Sequence, residues 1–139
     1  MAIIGIDFDG TCVTHEFPNI GNSIGAERVL MRLVNAGHKL VLFTMRSDVD
    51  NPTSENYDIH ASGGMYSTDA VNWFTKKGIP LWGVNENPEQ NTWTTSPKAY
   101  CHLYIDDAAL GCPLITNNGQ RPYVNWFEVE CMLIEKGIL

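Results

Sequence analysis

Nowhere in the 139 residues does an apolar run approach the roughly 18–20 residues needed to cross a bilayer. A membrane-spanning helix is not expected. The opening, Met1-Ala2-Ile3-Ile4-Gly5-Ile6-Asp7, has neither the basic start nor the small-residue cleavage site of a secretory signal. The expectation is therefore a cytoplasmic protein. Cysteine is sparse and unpatterned: Cys12, Cys101, Cys112 and Cys131 form no C-x-x-C pair. Without an export signal they read as reduced thiols used mostly in packing. No Cys or His pair stands at ligand spacing, which argues against zinc. Basic residues are few, 9 against 16 acidic ones, for a formal net charge of −7. No basic stripe is visible, so broad binding to a nucleic-acid backbone is disfavoured. A local phosphate pocket is still compatible with this charge if a metal ion supplies the positive end. The chain also lacks internal repeats and linker-like stretches, and residues 1–139 are expected to form a single domain. At 44% hydrophobic and 18% charged, it has the balance of a globular protein with a real core.

What is present alternates between strand and helix signals. Residues 2–6 are a short, almost wholly apolar run, as expected of a strand buried on both faces. From Ser23, apolar residues at Ala26, Val29, Leu30, Leu33 and Val34 predict one helix face, and Gly37 a stop. Residues 38–44 read as a second buried strand. A helix is expected over 67–77, with Ala70, Val71 and Phe74 inward, ended by Gly78 and Pro80. Strands follow at about 81–84 and 101–105, then a turn near Asn117-Asn118-Gly119 and a last helix over 124–136. This rhythm predicts an α/β fold of three layers, Rossmann-like, with a mostly parallel central sheet and helices on both faces. Sites in such sheets form beyond the carboxyl ends of the strands. Two irregular stretches, 10–23 and 45–66, are long enough to suggest functional loops.

The first strand runs directly into Asp7-Phe8-Asp9-Gly10-Thr11. Alone, this could be a turn, since Asp-Gly is a common turn dipeptide. The fourth predicted strand, however, also ends in acid, at Asp106-Asp107. Two parallel strands that each deliver a pair of carboxylates to one edge would repel strongly unless a cation lies between them. Oxygen-only ligands suit a hard ion, with Mg²⁺ the natural choice. Thr44 ends the second strand and offers a hydroxyl and an N–H at the same edge; by itself it reads equally as a strand residue or a cap. Lys98 lies just upstream of the acidic fourth strand, where an ammonium would neutralise phosphate oxygens and a nucleophilic carboxylate. The alternative for Lys98 is an ordinary surface lysine.

Residues 7–11, Leu-Phe-Thr at 42–44, Lys98 and Ile-Asp-Asp at 105–107 resemble, in order, the four motifs of the haloacid dehalogenase superfamily of phosphatases. The resemblance spans residues 1 to about 110. The two-residue Asp spacing followed by Thr is similar to the phosphatase branch. It implies a Rossmann-like hydrolase core and a Mg²⁺-dependent phosphomonoester hydrolysis through an aspartyl-phosphate on Asp7. By that resemblance Asp9 is the general acid and base, and its carbonyl is a metal ligand. Asp7 and Asp106 bind the ion directly and Asp107 directly or through water, and Thr44 and Lys98 hold the phosphoryl group. Backbone N–H groups near Gly10 and Thr11 are expected to add hydrogen bonds to the same oxygens.

Neither interval that holds a cap domain in many relatives has room for a sizeable one, since each must also hold regular elements of the core. A capless member with an open site is expected. Candidates for substrate selection are Arg46, Asp48, Asp50, Tyr57 and His60 in the long loop, with His15 and Phe17 at the entrance, although for all but Arg46 solvated loop decoration is the leading alternative. Arg46 is the first choice, because a guanidinium suits a second anionic group. His38 and His102 read as structural, and Trp73, Trp82, Trp93 and Trp126 as packing. A phosphorylated partner is expected, a small molecule before a polynucleotide, and an open site leaves room for a dimer that shields it. Three other readings stay open: phosphate transfer to another acceptor, a non-catalytic Mg²⁺ and phosphate-binding module, and a receiver-like signalling domain. Motif order argues against the last, because a receiver carries its phosphorylated Asp on a middle strand.

Overall fold

The computed structural model describes residues 1–49 and 64–139. Its centre is a four-stranded, wholly parallel sheet in the order β5-β2-β1-β6, formed by Gly83–Val84, Lys39–Leu42, Ile3–Ile6 and Leu103–Ile105. All four residues of β1 are buried, which explains why that run carries no polar side chain. Register sets the site. Ile6 lies opposite Leu42 on one side and Ile105 on the other, so Asp7, Phe43 and Asp106 leave the sheet side by side at its carboxyl edge.

The three α-helices are α1 (Ala26–Asn35), α2 (Tyr66–Lys76) and α3 (Trp126–Glu135). All three contribute to one apolar cluster on the face that Ile4, Ile6, Leu40 and Leu42 present. Ala26, Val29, Leu30 and Leu33 are the buried residues of α1, and Phe8 beneath them packs edge-on against Trp73 of α2 at 5.7 Å. The opposite face presents Ile3 and Val41 and is covered by Ala99 and Cys101, with Phe43 and Trp82 at its margin. Both faces are thus covered, but the second by an irregular segment whose regular part is a 3₁₀ turn, Gln90–Thr92. Side-chain amides substitute for a helix there. Gln90 donates to the Ser96 and Lys98 carbonyls and accepts from the Tyr100 N–H, and Asn87 donates to the Tyr100 carbonyl. Gly5 allows that covering to seat, since a Cβ on it would meet the Tyr104 ring at 2.7 Å.

Two small antiparallel ribbons flank the edge. Asp48–Val49 (β3) pairs with Gly64–Met65 (β4) inside the long loop, and Leu114–Ile115 (β7) pairs with Tyr123–Val124 (β8). The second ribbon claims Val124, so the last helix starts at Trp126, with Asn125 as a cap that accepts from the Glu128 N–H at 3.2 Å. His38 and His102 each accept a backbone N–H of the β1 region, from Ala2 and Ile3, and so serve the fold. No disulfide forms, and all four cysteines are free. Burial pushes the Cys12 thiol well up and the Cys101 thiol up to about 11. No helix among the described residues is long and apolar enough to cross a membrane.

Candidate functional site

The loop after β1 is tightly wound. Thr11 and Cys12 N–H both bond the Phe8 carbonyl, and Gly10 N–H bonds the Val13 carbonyl at 2.8 Å. Gly10 sits at φ +80°, and a Cβ there would meet His15 Nε2 at 1.9 Å and Asp107 Oδ2 at 2.7 Å. The turn is pinned from beyond by Trp126 of α3, whose indole N–H donates to the Thr11 carbonyl at 2.7 Å. This winding corrects one expectation. The Gly10 and Thr11 N–H groups are used inside the turn and do not face the site.

Thr11 contributes through its side chain instead. Its hydroxyl donates to Asp7 Oδ2 at 2.7 Å and accepts from the Asp107 N–H at 3.1 Å, tying the first and fourth strand ends together. His15 Nε2 stands 2.8 Å from Asp107 Oδ2. One oxygen each from Asp7, Asp106 and Asp107 lies within 4.8 Å of the others, and all three residues are half-buried. These are hard oxygen donors, the chemistry that fits Mg²⁺. The Asp9 side chain is not part of this group.

Charge crowding shows in the titration. Burial, opposed by the Thr11 hydroxyl but reinforced by Asp106, pushes the Asp7 carboxyl up from an ordinary 3.8 to about 8. Asp106 is also raised, chiefly by burial and then, against the bond from the Ala108 N–H, by Asp107. The crowded, half-buried carboxylates therefore favour a proton between them, and a cation would serve as well.

Asp9 is turned to a different partner. Its two oxygens accept from Arg46, Nε to Oδ2 at 2.7 Å and Nη2 to Oδ1 at 2.8 Å. Arg46, only 3% exposed, spends its remaining three N–H groups on the carbonyls of Pro18, Tyr66 and Asn19. With five N–H donors in five bonds, it has none for a substrate. The selecting role expected of Arg46 is thus corrected to that of a tie between Asp9, the first loop and the start of α2. Asp48 is corrected similarly: its carboxylate accepts from the N–H and hydroxyl of Thr68 in the first turn of α2. Asp50, Tyr57 and His60 lie outside the described residues.

Thr44 does reach the edge, but its N–H donates to Asn85 Oδ1 and its hydroxyl accepts from the Arg46 N–H. The hydroxyl proton is what it has to offer. A cavity of about 420 Å³ brings Thr44 together with all four aspartates. Its rim includes His15 and Phe17, as the sequence suggested, and also Met45 and Arg121. Lys98 is exposed and borders a smaller neighbouring cavity that shares Asp7 and Asp106. Its ammonium sits 5.6 Å from the Tyr104 ring centroid and makes no ion pair among the described residues. Arg121 at the cavity and the Thr11 side chain between Asp7 and Asp107 are the placements that sequence reasoning undervalued. Strand-end spacing pointed to the Thr11 turn, whereas nothing local marks Arg121, which reaches the cavity from the ribbon β7–β8.

No family model matches the chain, and no curated protein does. Among solved structures, a conserved protein from Bacteroides thetaiotaomicron is similar, with a TM-score of 0.68 and 28% identity over 97% of this chain and 91% of that one. The likeness supports the α/β fold over nearly the whole chain, and that protein's description assigns it no activity.

Proposed function

We propose that the protein is a Mg²⁺-dependent phosphomonoester hydrolase of the haloacid dehalogenase type, without a sizeable cap, acting through an aspartyl-phosphate on Asp7. The observation that carries this reading is the meeting of Asp7, Asp106 and Asp107 oxygens within 4.8 Å at the carboxyl edge of a parallel sheet. Mg²⁺ held by these three side chains would supply the positive charge that a phosphate dianion needs among so many carboxylates. The chain's own residues do the rest. Thr11, bonded to Asp7 Oδ2, holds that carboxylate in place and leaves its other oxygen for in-line attack on phosphorus. The Oδ–P bond forms as the ester P–O bond breaks, and the leaving oxygen takes a proton. Asp9 is two residues away for that transfer, and for accepting a proton from the water that later cleaves the Asp7 ester. To do this it must give up part of its pairing with Arg46. The Thr44 hydroxyl proton and the Lys98 ammonium are the donors left for the phosphoryl oxygens.

Hydrolysis of p-nitrophenyl phosphate by the full chain tests this directly, together with a panel of phosphorylated metabolites. Turnover should require Mg²⁺, stop in EDTA and vanish in folded Asp7→Asn, and acid quenching should trap a phosphoenzyme. If folded, Mg²⁺-saturated wild type turns over neither the ester nor any member of the panel, the hydrolase reading is wrong.

A further inference from the structure

We propose that Arg121 binds a second anionic group of the substrate, so that the preferred phosphomonoester carries a carboxylate or a second phosphate away from the transferred group. This rests on the hydrolase reading above and narrows its substrate class.

Two guanidinium groups border the cavity that holds Asp7 and Thr44, those of Arg46 and Arg121. Arg46 has all five of its N–H donors in bonds to Asp9 and three backbone carbonyls. Arg121 is exposed and has no hydrogen bond or ion pair among the described residues. An arginine at the rim of a cavity with four aspartates is expected to fold onto one of them. Those carboxylates already have partners: Asp7 has Thr11, Asp9 has Arg46, Asp106 accepts from the Ala108 N–H, and Asp107 has His15.

The position of Arg121 is also built. It lies two residues before β8, and Val124 of that strand donates its N–H to the Gly10 carbonyl at 2.9 Å. The ribbon is thereby hooked to the same turn that carries Asp7 and Asp9. Its tip is held by Asn117, which donates to the Tyr123 hydroxyl at 2.9 Å and accepts the Gln120 N–H at its carbonyl. A free, planar, five-donor cation on a fixed ribbon is suited to two-bond recognition of a carboxylate or phosphate. Lys98 borders the neighbouring cavity, so the two cations approach Asp7 and Asp106 through different cavities and are not duplicates of one another.

The test compares kcat/KM for phenyl phosphate, carboxyphenyl phosphate and phenylene bisphosphate, with Mg²⁺, in wild type, Arg121→Met and Arg121→Lys. Wild type should prefer at least one doubly anionic ester by about tenfold or more. The carboxylate and bisphosphate arms identify which anion is read. That preference should fall to near unity in Arg121→Met and survive in part in Arg121→Lys. A purely structural role would lower all three esters together and leave the ratio alone. No preference in wild type, or an unchanged ratio in Arg121→Met, overturns the assignment while leaving the hydrolase intact. Failure of folded, Mg²⁺-bound wild type on all three esters and on p-nitrophenyl phosphate removes the hydrolase reading, and this inference with it.

Discussion

Arg46 and Asp9 meet in a side-by-side pair, two guanidinium N–H groups on two carboxylate oxygens at 2.7 and 2.8 Å. Arg46 is enclosed while Asp9 is half-buried at the cavity, and the same guanidinium stitches the Pro18–Asn19 segment to Tyr66 at the head of α2. Removing Arg46 leaves the half-buried Asp9 carboxylate without its counter-charge and three backbone carbonyls without their donor. Arg46→Met should therefore cost about 3 kcal/mol or more of unfolding free energy in urea titration. Arg46→Lys should recover little of this, because an ammonium cannot replace five diverging N–H bonds. A loss below about 1 kcal/mol for Arg46→Met would show that the pair contributes little.

Asp7 should set function against stability. Its folded carboxyl titrates at about 8 against an ordinary 3.8, so the folded protein binds this proton more tightly than the unfolded chain does. Stability from this group is complete below about pH 4 and drains away as pH rises towards 8. Asp7→Asn should be inactive, yet more stable than wild type at pH 7 in EDTA, by on the order of 1 kcal/mol or more. Its stability should also vary less between pH 5 and pH 8, an interval inside the range over which Asp7 loses its proton. Urea unfolding across that range measures both, and a mutant less stable than wild type at pH 8 contradicts the prediction.

A cation in the Asp7, Asp106 and Asp107 cluster competes with those protons. Mg²⁺ should raise the melting temperature, and by more at pH 8 than at pH 5. At a hundredfold excess over the dissociation constant the gain is about 2.7 kcal/mol. Asp106→Asn and Asp107→Asn should each reduce the shift. Scanning calorimetry that finds the same transition in Mg²⁺ and in EDTA would rule out a site of useful affinity.

Gly10→Ala should damage the site more than its size suggests. The position needs φ +80°, and the new methyl group would sit on His15 Nε2 and against Asp107 Oδ2. His15 can swing away but only by leaving Asp107, to which it is 2.8 Å distant. A stability loss of about 1–2 kcal/mol is expected, together with weaker Mg²⁺ binding by calorimetric titration. Unchanged Mg²⁺ affinity would show that His15 does not position Asp107.

Much of this architecture was legible in the chain. The apolar run before Asp7 and the one before Thr44 read as buried strands, because both are short and, apart from His38 and Lys39 at the start of the second, made of apolar residues. The spacing of Ala26, Val29, Leu30 and Leu33 fixed the inner face of α1, although Gly25 at φ +93° delayed its start beyond Ser23. Acid at the ends of two such strands pointed to one edge, and the register of Ile6 with Ile105 brings those ends together. Local pattern did not reveal what covers the second face, since Gln90 and Asn87 satisfy its backbone without any periodicity.

The sequence by itself determined which groups stand at the carboxyl edge, because strand polarity and the period of two leave an apolar run no other way to deliver them. Only the tertiary structure decided what each group is free to do. Arg46, two residues after Thr44, looked available but is enclosed by segments that its neighbours in sequence do not include. Arg121, far from every motif, is brought to the cavity by one ribbon hydrogen bond to Gly10. Donor capacity is spent on whichever acceptors folding brings near, and that depends on contacts between segments distant in the chain.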